Sequence, residues 1–245
     1  MVRPYALSLF HAAPRDVLMI GLASGARAQV IANNPAVRSL TIVETNPGYM
    51  ALVEQVPDVA TIMQNPKVTI VVDDARRWLA GNDRHFDVIV SNTPWHFRAN
   101  ATNLLSSEFL RLAQAHLKPG GVLFYDTGAS DRLQRNGCLV FPHGARLTSH
   151  LVVSDQPIAW DFQRWRDVLV GYRIDGRPVL DPARASDRRL LELLMQWEAS
   201  LVLGTDQGAE RPIEACGDIL ARTKAKRTVT DDNMGGEWRY FLGME

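Results

Sequence analysis

Between residues 16 and 125 one rhythm recurs five times: a short apolar run, a small or acidic residue, then a stretch with helical spacing. The runs are DVLMIG (16–21), SLTIVE (39–44), VTIVV (68–72), FDVIV (86–90) and VLFY (122–125). Rich in Val, Ile and Leu, they read as strands buried on both faces, the situation of strands in a parallel sheet. Helical character falls between them at Gly25–Asn33, Pro47–Gln55, Ala75–Ala80 and Ser106–Leu117. Asn33-Asn34-Pro35 stops the first, Pro47 sits in the first turn of the second, and the last carries Phe109, Leu110, Leu112, Ala113 and Leu117 on one side. Parallel neighbours need long crossover connections, which helices supply. The alternation therefore predicts an α/β fold with a doubly wound, mostly parallel sheet.

After residue 130 the rhythm changes. Lys118–Gly121 (KPGG) predicts a turn, Leu147–Ser154 a later strand, and 160–172, 185–203 and 213–225 predict helices. Two parts follow: a core over 1–155 and a helical C-terminal extension over 156–245 packed on the same domain. Trp160, Phe162 and Trp165 either wall a pocket or pack a helix on the sheet, and packing is the reading preferred here. Apolar residues make up 46% and charged residues 22%, enough for a buried core. The formal net charge is zero, which argues against a nucleic-acid partner, since phosphates call for a basic face. The first residues lack a leader pattern, and no apolar run reaches the ~20 residues of a membrane span. The expectation is a cytoplasmic protein. Cys138 and Cys216 lie far apart with no Cys-x-x-Cys spacing and are expected as two reduced, buried thiols. His11, His85, His116, His143 and His150 show no ligand spacing, so no metal is expected.

Chemistry gathers at the ends of the first strands. The first strand–helix turn, Gly21-Leu22-Ala23-Ser24-Gly25, has small residues at 21, 23 and 25 that let a ligand approach the backbone. Such a turn also serves strand–helix packing. Glu44 ends the second strand, 23 residues after Gly21, where an acid can accept both hydroxyls of a ribose. Asp73 and Asp74 follow the third strand, where a carboxylate can accept an adenine amino group while neighbouring backbone, at Ala75, donates to the ring. Either aspartate can instead cap the helix that begins at Ala75. Ser91, at the end of the fourth strand, completes the expected cofactor set. The turn lacks the full Gly-x-Gly-x-x-Gly of a dinucleotide binder, so the trio points to an adenosyl ligand of the S-adenosylmethionine type.

The segments VLMIGLASG, TIVETNP, NPKVTIVVDDARRWL, FDVIVSNTPW, NLLSSEFLRLAQAHLKPGGV and FPH (141–143), with TDDNMGGEW near the end, resemble the spermidine synthase-like proteins. The likeness is strongest to a bacterial branch often fused to membrane segments, and more widely to class I methyltransferases with their Rossmann-like sheet. The resemblance implies that Gly21–Gly25 lie under the amino-acid end and ribose of the nucleoside, that Glu44 holds the ribose and Asp74 the adenine. Asn92–Trp95 would begin a gate loop, with Pro94 and Trp95 over the reacting centre. It implies polyamine metabolism, S-adenosylmethionine or its decarboxylated form as cofactor, a small amine as acceptor, and a possible homodimer. Departures are plain. Ser24 stands where the synthases carry an aspartate, Asn46 where many carry an acid, and Ser91-Asn92-Thr93-Pro94 replaces their acids after the fourth strand. Their N-terminal β-hairpin domain has no counterpart before residue 16.

Three functions remain open. The first is a spermidine synthase-like transferase moving an aminopropyl-type group to an amine, a reaction that gains most from alignment. It needs a group for the amine proton, for which Asp126, Asp231 and Asp232 are candidates, each with the alternative of a turn or cap acid. The second is a methyltransferase, in which Asn92-Thr93-Pro94-Trp95 would hold a planar amino group. The third is a nucleoside-binding or interaction module that has lost catalysis.

Overall fold

A computed structural model describes residues 3–92, 102–199 and 212–233. Its strands are β1 (Asp16–Ile20), β2 (Ser39–Glu44), β3 (Val68–Val72), β4 (Phe86–Ser91), β5 (Leu117–Asp126), β6 (His143–Leu147), β7 (His150–Ser154), β8 (Arg173–Ile174), β9 (Arg177–Pro178) and β10 (Ile213–Ala215). The helices are α1 (Leu7–Phe10), α2 (Ala26–Ala32), α3 (Gly48–Glu54), α4 (Pro57–Ala60), α5 (Ala75–Ala80), α6 (Ser107–Ala115), α7 (Asp131–Val140), α8 (Phe162–Gly171), α9 (Ala185–Met195) and α10 (Cys216–Arg222). One sheet runs β10-β6-β7-β5-β4-β1-β2-β3, and β8 and β9 form a separate hairpin. From β3 to β5 neighbouring strands are parallel; β7, β6 and β10 continue antiparallel. The mostly parallel α/β sheet expected from the sequence is thus borne out.

The buried strands follow from their composition. Val17 and Met19 enter one apolar cluster with Leu7, Leu9, Phe10, Ile31, Phe124 and Trp165. Leu18 and Ile20 enter the other, with Leu79, Phe109, Leu123 and Tyr125. Side chains alternate across a strand, so a continuous apolar run serves both helical layers at once. Each such side chain, fully withdrawn from water, contributes about 1.5–3 kcal/mol. Residues before 16 belong to this core: Leu7 and Leu9 are fully buried, and the Trp165 indole donates to the Tyr5 carbonyl at 2.9 Å. Trp165 and Phe162 therefore pack α8 on the sheet.

The amino-terminal ends of the strands are zipped by charge. Lys118 bridges Asp16 and Asp87, and the Asp16 N–H donates to Asp87 Oδ2 at 2.7 Å. The Lys118 hydrogen bond holds the Asp16 carboxyl below the usual aspartate range. The carboxyl-terminal ends, opposite, are left for chemistry.

Four expectations are corrected. Lys118–Gly121 is part of β5; Gly120, at φ +74°, kinks the strand, and the β4–β5 register shifts between Phe86 and Val88. The run 147–154 is split between the end of β6 and all of β7, because Thr148 turns the chain at φ 55°. The segment 213–225 begins as β10 paired with β6, and helix α10 starts only at Cys216. Cys138 and Cys216 are joined in a disulfide rather than reduced. The β6–β10 pairing brings the start of α10 beside α7, and a sequence separation of 78 residues hid that proximity.

Two outcomes are expected. Thiol titration of the unfolded, unreduced protein finds no free thiol, and a Cys138→Ser/Cys216→Ser variant loses about 2–4 kcal/mol in urea unfolding; two titratable thiols would contradict the pairing. Gly137 lies inside α7, where alanine would ordinarily gain up to about 1 kcal/mol of helix propensity. Here a Cβ would collide with the Tyr125 hydroxyl and Leu151 Cδ2. Overpacking costs about 1–3 kcal/mol, so Gly137→Ala is expected to lower the thermal midpoint, and a raised midpoint would refute the close contact.

Candidate functional site

The order of the sheet creates the site. Helical connections leave β1 toward β2 and, further on, enter β4, so the crevice opens where β1 lies between them, at the carboxyl ends of the strands. Gly21 follows β1 at φ 89°, Ala23 sits at φ 48° and Gly25 at φ 76°, so the turn coils through left-handed backbone. A Cβ on Gly21 would stand 3.3 Å from the Asn92 carbonyl oxygen, and one on Gly25 about 3.0 Å from Val53. Both glycines are required by close approach as well as by conformation.

Glu44 ties β2 to this turn. It is 6% exposed, and its Oε2 accepts the Leu22 N–H at 2.7 Å while Oε1 accepts the Asn46 N–H at 2.9 Å. Among the described residues it makes no ion pair. Each oxygen also takes one long contact, Oε2 from the Ala23 N–H at 3.5 Å and Oε1 from the Thr45 hydroxyl at 3.4 Å, and these weak bonds are the ones a ligand hydroxyl would replace. Ser24 is exposed at the outer side of the turn.

Asn92 closes the turn from the other side. Its amide nitrogen donates to the Gly21 carbonyl at 2.9 Å, its Oδ1 accepts from Arg27, and its backbone N–H donates to Ile20 at 2.8 Å. Ser91, buried, ends β4 beside it. The Asn92 side chain is thus committed to shaping the turn. Asp74 caps α5, accepting the Arg77 N–H at 2.9 Å, which is the capping alternative weighed above. Asp73 accepts the Asp74 N–H at 2.6 Å and pairs with Arg77. Ala75 begins α5 directly behind them. At the end of β5, Asp126 accepts the Gly128 N–H at 2.9 Å. The gate residues Pro94 and Trp95 lie outside the described residues. So the structure brings the 21–25 turn, Glu44, Ser91 and Asn92 together; Asp73–Ala75 flank them two strands away at the end of β3, and Asp126 two strands to the other side.

Sequence reasoning missed three partners. Arg27, in the first turn of α2, had only its nearness to Gly25 to mark it. His150 faces Asp126 across the β5–β7 ladder. Arg76 forms a two-pronged ion pair with Asp231, whose N–H donates to Glu108 at 3.0 Å. Arg76 lies two residues beyond Asp74, so the TDD segment is clasped beside the third-strand acids. Nothing local could signal a pair 155 residues apart. No group of three or more His, Cys, Asp or Glu among the described residues is placed to hold a metal.

A family model described as "Methyltransferase small domain" matches residues 7–136, more than half of the chain. The chain belongs to the methyltransferase small domain family. Its similarities among curated proteins are to polyamine aminopropyltransferases. It is 36% identical over 112 residues to a polyamine aminopropyltransferase of Corynebacterium efficiens, covering 44% of this chain and 21% of that one. It is 29% identical over 120 residues to a polyamine aminopropyltransferase of Streptococcus pneumoniae serotype 4, covering 49% and 42%. The chain therefore spans less than half the length of these curated relatives. A crystal structure of spermidine synthase in complex with the transition state analogue AdoDATO superposes with a TM-score of 0.59 at 18% identity, covering 76% of this chain and 72% of the other. That likeness establishes a shared fold. No helix among the described residues is long and apolar enough to cross a membrane.

The Arg76–Asp231 clasp is testable. Arg76 holds the Asp231 carboxyl below the usual range, so its contribution is complete at neutral pH and lost as the pH falls through the carboxylate region. The pair is partly exposed, so its release loosens the segment locally rather than unfolding the domain. Asp231→Asn is expected to speed tryptic cleavage after Lys226 and Arg227 by at least about threefold; equal rates would show that the clasp does not hold the segment.

Proposed function

We propose that this chain binds an adenosyl sulfonium, S-adenosylmethionine or its decarboxylated form, and transfers an aminopropyl-type alkyl group to a small amine. The observation that carries it is Glu44: a buried carboxylate at the crevice, bonded to backbone N–H groups, with no cation to neutralise it among the described residues. Such a group suits two vicinal hydroxyls, which would each donate to one oxygen. The Gly21–Gly25 turn, free of side-chain bulk, would lie under the ribose and the sulfonium arm. Asp74 would take the adenine amino group with lone pairs its cap does not use, beside Asp73, the Ala75 backbone and Ser91. Pro94 and Trp95 would cover the reacting centre. Bound so, the donor presents its sulfonium carbon at the crevice mouth, and the protein's task is to align an amine with it. The names of the aminopropyltransferase relatives support this reading.

Methyl transfer is the second reading, favoured by the family model. Against it stands Asn92, whose amide is bonded to Gly21 and Arg27 rather than turned outward to hold a substrate amino group. A cytoplasmic setting accompanies the proposed function, and the Cys138–Cys216 disulfide weighs against it, since disulfides persist in oxidising compartments.

Isothermal titration with S-adenosylmethionine, its decarboxylated form and methylthioadenosine separates the readings. Tighter binding of the decarboxylated form is expected, and preference for the carboxylated form would favour methyl transfer. Glu44→Gln and Asp74→Asn should each weaken methylthioadenosine binding about tenfold or more, the scale of one lost charge-assisted bond. No binding of any nucleoside at millimolar concentration would end the proposal.

A further inference from the structure

Strand register lays the crevice residues in a row. Ile20 pairs with Ser91 and Ser91 with Tyr125, so the residues that follow, Gly21, Asn92 and Asp126, stand side by side at the ends of β1, β4 and β5. Asp126 in turn pairs with His150, the first residue of β7. Two strand spacings, about 10 Å, separate Asp126 from the Gly21 turn, the distance of a small substituent projecting from a ligand held there.

Directly paired residues present their side chains on the same face. His150 Nδ1 lies 3.5 Å from Asp126 Oδ1 and 3.2 Å from Ser149 Oγ. The imidazole is 2% exposed and packs on the Phe124 ring, with centroids 5.0 Å apart. The Asp126 side chain is 25% exposed and so is the member of the pair that solvent or a substrate can reach. Its Oδ1 is fixed between the Gly128 N–H and the imidazole, which orients the carboxylate. A buried imidazole is costly unless its nitrogens have polar partners, and the Asp126 carboxylate and Ser149 hydroxyl stand at Nδ1. A cationic acceptor needs an anion on its own side of the crevice. Among Asn92, which follows β4, Asp126, which ends β5, and His150, which begins β7, Asp126 is the carboxylate.

We propose that Asp126 is the binding group for the ammonium of the acceptor amine, and that buried His150 is its positioning residue. The inference rests on the transfer function proposed above and deepens it by locating the acceptor. Held at Asp126, a primary ammonium lies along the row from the donor's reacting carbon, on the opposite side of Asn92 from Glu44. Phe124, under the imidazole, keeps the far side of the pair dry.

The test titrates 1,4-diaminobutane into protein saturated with methylthioadenosine and follows the KM for the same diamine in turnover. Asp126→Asn should weaken diamine binding at least about tenfold while the methylthioadenosine affinity stays within twofold. Asp126→Glu should recover part of the loss. His150→Gln should raise the diamine KM severalfold with kcat little changed, and the double variant should bind diamine no worse than Asp126→Asn alone, because the histidine acts through the aspartate. If Asp126→Asn misfolds, His150→Gln and Asp126→Glu carry the test. Wild-type diamine affinity in Asp126→Asn, or additive losses in the double variant, would overturn the proposal. Wild-type protein that binds methylthioadenosine but no diamine would overturn it while leaving the donor site intact. Wild-type protein that binds neither would overturn the transfer function and this inference together.

Discussion

The crevice depends on one carboxylate. Glu44 reaches from the end of β2 into the turn after β1, where it accepts the Leu22 N–H and, more weakly, the Ala23 N–H, while its other oxygen accepts the Asn46 N–H beyond β2. Buried N–H groups without partners are costly, and so is a buried carboxylate without donors. Each resolves the other. Glycine at 21 and 25 permits the coil, Asn92 fastens it from the β4 side, and the parallel register of β1 between β2 and β4 puts all of them at one level. Removing the carboxylate would take away a ligand acceptor and a structural tie together, so the amide replacement is the informative variant.

From that point the sheet edge divides by charge. Toward β3 lie Glu44, Asp73 and Asp74, all held by backbone donors or by Arg77. Toward β7 lie Asn92, Asp126 and His150. On the β3 side the acids stand at the ends of β2 and β3. The other side has an amide after β4, and its carboxylate stands one strand further out. The chain thus shares a family's fold while arranging the β5–β7 side of the crevice in its own way, and fold alone would not have revealed it.

Strand β2, strand β3 and helix α5 could be read from the sequence to the residue, because each is a short run bounded by a clear stop: Glu44, Asp73-Asp74 and Gly81. Hydrophobic pattern and local punctuation agreed there. Elsewhere they did not. Pro119-Gly120-Gly121 looks like a turn, yet the strand carries on past it as an irregularity, because β4 pairs with Leu117 before it and with Val122 after it. Thr148 gives no sign that it will adopt positive φ, so two strands read as one. The site shows the same contrast. Gly21, Glu44 and Asp74 were visible because each sits at a strand end. Arg76–Asp231, Asp126–His150 and the disulfide were not, because each joins residues that only the completed sheet brings together.

The sheet's connectivity also sets an order of events during synthesis. The five parallel strands are complete once residue 126 is made, and with them the Glu44 tie and the Asn92 latch. His150 comes later, and β10 with Cys216 and Asp231 later still. A chain emerging from the ribosome folds its earlier units first. The crevice at the ends of β1, β2 and β4, with Asp126 beside it, can therefore take shape while His150, the far edge of the sheet, the disulfide and the clasp on α5 are still to come.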